Sequence, residues 1–315
     1  MVWIGIGILT LMILGIVLRF LRSKKEGSWS VCGLLGLMVI LVSEWLLWKK
    51  VHFVELYFIP LVWTGYILLV DAAVFRLTSR SRLHESLGNF LWLVLWSIPL
   101  WVVFEAYNLH LKNWVYLNLP QDAIVRYVGY AWAFGTIWPA LFETTDLLVA
   151  LRVFQADLSP GIRIPSRRLL GFSVAVGFGM LVIPVTVPRP AASYLFGFVW
   201  LGMIFAFDPI NYWLGKRSVW LEWLSGRRQA VYSMLLAGLF CGLLWEFWNY
   251  WAVARWEYIF PIMQRFKIFE MPLAGYLGFP PFCVECFVMY ELVNFRSTKS
   301  QVVGGASTRS LLVDY

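Results

Sequence analysis

Apolar residues run along this chain in long unbroken stretches, without two-residue alternation, and short clusters of Lys, Arg, Pro and Gly interrupt them. A helix of about 20 apolar residues spans a hydrocarbon core of about 30 Å. Nine stretches reach that length, near 2–21, 30–48, 53–75, 87–108, 125–151, 169–187, 194–214, 231–254 and 269–294. The pattern therefore predicts an all-α integral membrane protein with about nine transmembrane helices. Composition agrees, since 60% of the 315 residues are apolar and only 14% are charged. Soluble domains carry about 25% charged residues.

Charge adds an orientation. The connections at 19–29, 76–86, 152–168 and 215–230, with the tail after 295, hold 18 Lys and Arg. The opposite connections (49–52, 109–126, 188–193, 255–268) hold eight. Cytoplasmic loops concentrate Lys and Arg, so the N-terminus is expected outside and the C-terminus in the cytoplasm, as in a bacterial inner-membrane protein. The net charge of +8 is accounted for by these loops, and no nucleic-acid partner is expected. Residues 2–21 lack a basic leader and an A-x-A-like cleavage site, and Arg19, Arg22, Lys24 and Lys25 follow them. They read as a retained helix and not as a signal peptide.

Within the apolar sequence one constellation occurs twice. Trp63, Gly65, Asp71, Glu105, Asn108, Trp114, Tyr116, Pro139 and Glu143 are matched by Trp200, Gly202, Asp208, Glu246, Asn249, Trp256, Tyr258, Pro281 and Glu285. Internal repetition decides architecture ahead of local propensity. The expected organisation is an N-terminal helix (1–29), repeat unit 1 (30–151), repeat unit 2 (169–295) and a cytoplasmic tail (296–315). Four crossings per unit return the chain to its starting side. The two four-helix repeats are therefore parallel, related by a pseudo-two-fold axis along the membrane normal.

The repeated polar residues are the candidate site. Asp71 and Asp208 lie toward the cytoplasmic ends of their helices. They are read as caps, as partners of Arg76 or of Lys216 and Arg217, or as binding residues. Glu105 and Glu246 each carry an asparagine three residues on, Asn108 and Asn249, on the same helical face. Glu143 and Glu285 each follow a proline by four residues, and a mid-helix proline frees a carbonyl one turn back. Apolar burial favours the neutral form of a carboxyl, so this pair reads as proton donor and counterpart, oriented by the Glu–Asn pairs. Their simplest alternative is a structural interhelix hydrogen bond. Glu44, Glu55 and Glu291 read as interfacial, and Glu270 has no match in the first unit. The W-x-Y pairs (Trp114, Tyr116, Trp256, Tyr258) read either as headgroup anchors or as the lid of a cavity.

Absences narrow the chemistry. His52, His84 and His110 fall at or beyond helix ends, which argues against a membrane haem. Cys283 and Cys286 form one C-x-x-C with no second cluster, too few ligands for zinc, and read as packing. The six aspartates are scattered, and no Walker A sequence occurs. No cofactor is expected. Among the 19 tryptophans, Trp132, Trp138, Trp245 and Trp248 flank the repeated acids with Phe142 and Phe247, and Trp138 and Trp245 are candidate binding residues. A carboxylic acid beside aromatic faces suits protonation of a C=C bond, because the ring quadrupoles stabilise the resulting cation.

The order W-x-Y, proline, then glutamate within an apolar helix resembles the lycopene cyclase domain family, over residues 246–291 and more weakly over 105–150. The family's Pro-x-Glu-Glu is here Pro139-Ala-Leu-Phe-Glu143 and Pro281-Phe-Cys-Val-Glu285, and each unit has four helices where the family has three. The resemblance implies an intramembrane, metal-independent cyclase or isomerase of an isoprenoid or related apolar lipid. Two other readings stay open: a proton-coupled carrier of lipids or small solutes, and a non-catalytic subunit with partners in a larger membrane complex.

Overall fold

The computed structural model describes residues 1–154, 166–224 and 228–295. The expected tail (296–315) lies outside the described residues, as does most of the 152–168 connection. Helices account for nearly all regular structure, in the order α1 (Val2–Arg22), α2 (Val31–Trp48), α3 (His52–Thr78), α4 (Arg82–Glu85) and α5 (Leu87–Leu111). Strand β1 (Trp114–Leu117) follows, then α6 (Ala123–Gly135), α7 (Ile137–Ala150), α8 (Arg167–Thr186), α9 (Arg189–Ala192), α10 (Phe196–Trp213), α11 (Val219–Leu224) and α12 (Arg228–Trp251). The described residues end in β2 (Arg255–Tyr258), β3 (Lys267–Ile268), β4 (Met271–Pro272), a 3-10 turn (Leu273–Gly278) and α13 (Phe279–Val293). Helix starts carry polar caps: Ser30, Ser86, Asp122 and Ser166 each accept a backbone N–H of the first turn, satisfying a donor the helix leaves orphaned.

Seven helices among the described residues are long and apolar enough to cross a membrane: α1, α2, α3, α5, α8, α12 and the 3-10 turn with α13. The other two expected stretches are present in different form. Residues 125–151 are not one helix but two, α6 and α7, parted at Thr136. Residues 194–214 form α10, only 18 residues long and carrying Asp208 and Pro209. The last expected helix, 269–294, is also divided, and α13 begins only at Phe279.

These two divisions correct the reading of the prolines. Pro139 and Pro281 do not kink a long helix. Each is the third residue of a new helix, in the first turn, where a missing N–H costs no intrahelical bond. The starts of α7 and α13, Ile137 and Phe279, are equivalent positions of the repeat.

The packing follows the repeat. Helix α2 packs on α3 as α8 packs on α10, and α3 packs on α7 as α10 packs on α13. Helix α12 then crosses to α7 of the other half. Helices α3, α7, α12 and α13 form the buried interior, whereas α1 and α2 leave most of their apolar surface outward. The halves also join through β1 and β2, which pair antiparallel with Trp114 opposite Tyr258 and Tyr116 opposite Trp256. Equivalent strands paired in this symmetric register require a local two-fold axis through Val115 and Glu257.

Close helix crossings depend on glycine. A Cβ on Gly177 would strike the Ala206 backbone, and one on Gly36 the backbone of Gly65 and Leu69. Small residues at such crossings let membrane helices approach closely. Gly177→Ala is expected to cost about 1–3 kcal/mol through overpacking, read as a lower thermal midpoint in detergent. Gly179→Ala, on the same helix with open space at its Cβ, should leave the midpoint unchanged or raise it.

Candidate functional site

Between the halves, beneath the two-stranded sheet, lies a cavity with about 1350 Å³ of empty space, open mouth included. Strand alternation puts Trp114, Tyr116, Trp256 and Tyr258 on one face of the sheet, and all four line the cavity. Equivalent pairs meet around it: Trp63 with Trp200, Phe104 with Trp245, Ile137 with Phe279, and Ala140 with Phe282. It therefore sits on the pseudo-two-fold axis, and the starts of both divided helices form part of its wall.

The E-x-x-N pairs explain how the sheet is held. Asn108 Oδ1 accepts from the backbone N–H of Asn113 (2.7 Å) and of Trp114 (3.2 Å), and its Nδ2 donates to Trp114 O (2.9 Å). Asn249 repeats this on Trp256, with bonds of 3.0 and 2.9 Å. The glutamates take the tyrosines. Tyr116 donates to Glu105 Oε1 at 2.6 Å and Tyr258 to Glu246 Oε1 at 2.9 Å. Trp101 and Trp114 also donate to Glu105 Oε1, at 3.0 and 3.3 Å. Burial first, and the Glu105 carboxyl second, hold the Tyr116 phenol well above its ordinary pKa; burial and Glu246 do the same for Tyr258. Both phenols therefore remain O–H donors at the cavity wall. One carboxyl oxygen, Glu246 Oε2, is buried without a partner.

Glu105, Glu246, Asn108 and Asn249 thus hold the aromatic strands; their hydrogen bonds do not reach Glu143 or Glu285, as the sequence reading expected. Nor do those two glutamates line this cavity. Both are fully buried with every carboxyl oxygen unpartnered. Glu143 is surrounded by Asp71, Asp146 and Arg82, whereas Tyr107 and Cys286 lie near Glu285. The two carboxyls make no hydrogen bond to each other across the interface, since all four of their oxygens lack a partner.

Among the other expected binding residues Trp245 lines the cavity, while Trp138, Asp71 and Asp208 do not. Trp138 is fully buried and donates from Nε1 to Cys286 O at 2.7 Å, tying α7 to α13. Asp71 and Asp208 are caps, though not through the cations expected. Asp208 accepts from Ser218 Oγ and from the N–H of Val219 and Trp220, at 2.9, 2.8 and 2.9 Å. Asp71 accepts from Ser81 Oγ, Leu83 N–H and His84 Nδ1, at 3.0, 3.0 and 2.9 Å. Arg76 binds Gly27 O instead, and Lys216 donates to Glu291 O and Leu292 O at the end of α13. Glu291, read as interfacial and without a partner in the repeat, is buried near the end of α13 and pairs with Arg217 at 3.6 Å.

Two features escaped the sequence reading. One is a second duplicated motif, Arg80-Ser81 with Glu85 and Arg217-Ser218 with Glu222, whose serines sit ten residues after the repeated aspartates and bind them. Its spacing could have revealed it. The other is the wall formed by Trp101, Phe134 and Tyr130, which have no aromatic signature apart from their neighbours. Among the described residues no three His, Cys, Asp or Glu side chains gather closely enough to hold a metal ion. Comparison with known protein families, curated proteins and solved structures gave no match.

Proposed function

We propose that this membrane protein takes an apolar, isoprenoid-type lipid into the aromatic cavity between its halves and isomerises or cyclises it by acid chemistry. One observation carries the reading: the four W-x-Y aromatics line a single cavity while Glu105 and Glu246 hold their tyrosines from behind. With the acid protonated on Oε1 the bond to Tyr258 reverses, Glu246 donating. That proton passes to the Tyr258 oxygen as the phenolic hydrogen, now turned to the cavity, moves to one carbon of a C=C bond. The Trp114, Trp245 and Trp256 rings then face the cation. Loss of a proton from a neighbouring carbon, back to the Tyr258–Glu246 pair, restores the acid and leaves a product of unchanged mass. In the orientation favoured by the Lys and Arg distribution, the hairpin end of the molecule faces outward from a bacterial inner membrane.

The test is incubation of membranes with candidate polyenes, followed by chromatography and mass measurement. An isomeric product that is lost in Glu246→Gln and kept in Glu55→Gln supports the proposal. A product lost in Glu285→Gln but kept in Glu246→Gln would move the acid to α13 and overturn the placement.

A specific observation favours a second reading, a proton-coupled lipid carrier. Discontinuous helices at matched positions of two repeats are a transporter device, and the divisions before Ile137 and Phe279 are matched and border the cavity. Lipid uptake into proteoliposomes driven by a pH difference, with no new product, distinguishes it.

A further inference from the structure

The two halves share their buried acids but not the groups around them, and the difference is directional. In the first half, exposed His84 binds Ser30 Oγ through Nε2 (3.0 Å) and Asp71 Oδ2 through Nδ1 (2.9 Å). The Asp71 and Glu143 carboxyls lie within hydrogen-bonding range of each other, yet neither oxygen of Glu143 has a partner with proper geometry. Two carboxylates this close repel, and a proton shared between them turns the contact into a hydrogen bond. The Tyr66 hydroxyl lies within electrostatic range of Glu143, with no direct hydrogen bond between them. Tyr66 meets Thr144 Oγ1 at 2.6 Å, and Thr144 meets Cys241 Sγ at 3.2 Å. Cys241 lines the cavity.

We propose that His84, Asp71, Glu143, Tyr66, Thr144 and Cys241 form a proton relay from the arginine-rich end of the molecule to the aromatic cavity. The idea rests on the functional reading above only for what the proton does on arrival. A proton taken up on His84 Nε2 releases the one on Nδ1 to Asp71, and Asp71 passes it to Glu143. Glu143 passes a proton through one bridging water to the Tyr66 oxygen as the phenolic hydrogen moves to Thr144. Thr144, whose hydrogen rests on Ala140 O at 2.6 Å, turns it to Cys241 as the thiol hydrogen leaves to an acceptor in the cavity. Each group gives up one proton for each it takes. The charged groups around the central pair are Asp146 on α7 and Arg82 on α4, which pair with each other at 2.7 Å, and the Cys283 thiol of α13 lies near them.

The second half retains Asp208 and Glu285 but places Leu221, Met203, Cys286 and Leu100 where the first has His84, Tyr66, Thr144 and Cys241. A relay is thus present on one side of the axis and cut on the other. Structural acids shared by both halves would not require the polar row to be confined to one.

Infrared spectra of the full chain in liposomes, recorded after a switch from H₂O to D₂O, test this without any lipid ligand. The carboxylic C=O bands of the two acids are assigned by their loss in Glu143→Gln and Glu285→Gln. Glu143 should exchange on the order of 100-fold faster than Glu285, and His84→Phe should remove most of that advantage. His84→Gln serves as the second variant if the first fails to fold. Equal exchange at both acids, a missing Glu143 band, or exchange indifferent to both His84 variants would overturn the relay. None of those results bears on whether the cavity binds and converts a lipid, which the polyene assay reads separately.

Discussion

Asp208→Ala should destabilise the protein by about 3–5 kcal/mol, since three donors lose their acceptor and each buried orphan costs about 1–3 kcal/mol. The side chain is 1% exposed and accepts from Ser218 Oγ and from the N–H groups of Val219 and Trp220. These bonds fix the chain where it turns out of α10 and start α11. Asp208→Asn keeps one accepting oxygen and should cost less than half as much. Asp71→Ala, which strips Ser81, Leu83 and His84 of their shared partner, should match Asp208→Ala. Thermal unfolding in detergent micelles checks all three. Losses near zero would mean that water reaches these donors and that the caps add nothing.

The second large effect concerns activity and is unequal between the halves. Glu246→Gln should lower product formation by roughly 100- to 1,000-fold, within the range for losing a positioned general acid. Glu105→Gln should lower it less. Glu105 Oε1 already accepts from Tyr116, Trp101 and Trp114, so its role is to hold rings in place. Glu246 Oε1 meets the Tyr258 hydroxyl while Oε2 stays buried without a partner, so fewer donors hold this carboxyl in its anionic form. Tyr258→Phe should follow Glu246→Gln, with kcat falling and KM little changed. Equal losses in both glutamate variants would mean that the pairs support the sheet alone.

Much of the fold was legible because a membrane helix needs an apolar run and little else. The spans at 30–48, 87–108 and 169–187 agree with α2, α5 and α8 to within three residues at either end. The divided helices were hidden because Gly135 and Gly278 interrupt apolar runs without making them polar. Pro139 and Pro281 fit a kink and a first turn equally well on paper, and only the backbone distinguishes them. At the candidate site, the W-x-Y and E-x-x-N spacings marked residues that the structure brings together, though with partners other than those expected. Spacing along one helix says which side chains share a face, but not that Asn108 reaches forward to Trp114. The partner of Glu291 was hidden for the same reason, since Arg217 is on a different segment of the chain.

The pairing of β1 with β2 bears on where such a molecule came from. A segment lying antiparallel to its own counterpart is the contact that two identical short polypeptides would make on meeting. The present chain has the form of an ancestral homodimer whose subunits became fused end to end. Within one chain the two copies need not be identical, and Tyr66 stands where the other copy has Met203, and His84 where it has Leu221. A symmetric shell with a one-sided interior is open to such a chain and closed to a dimer of identical subunits.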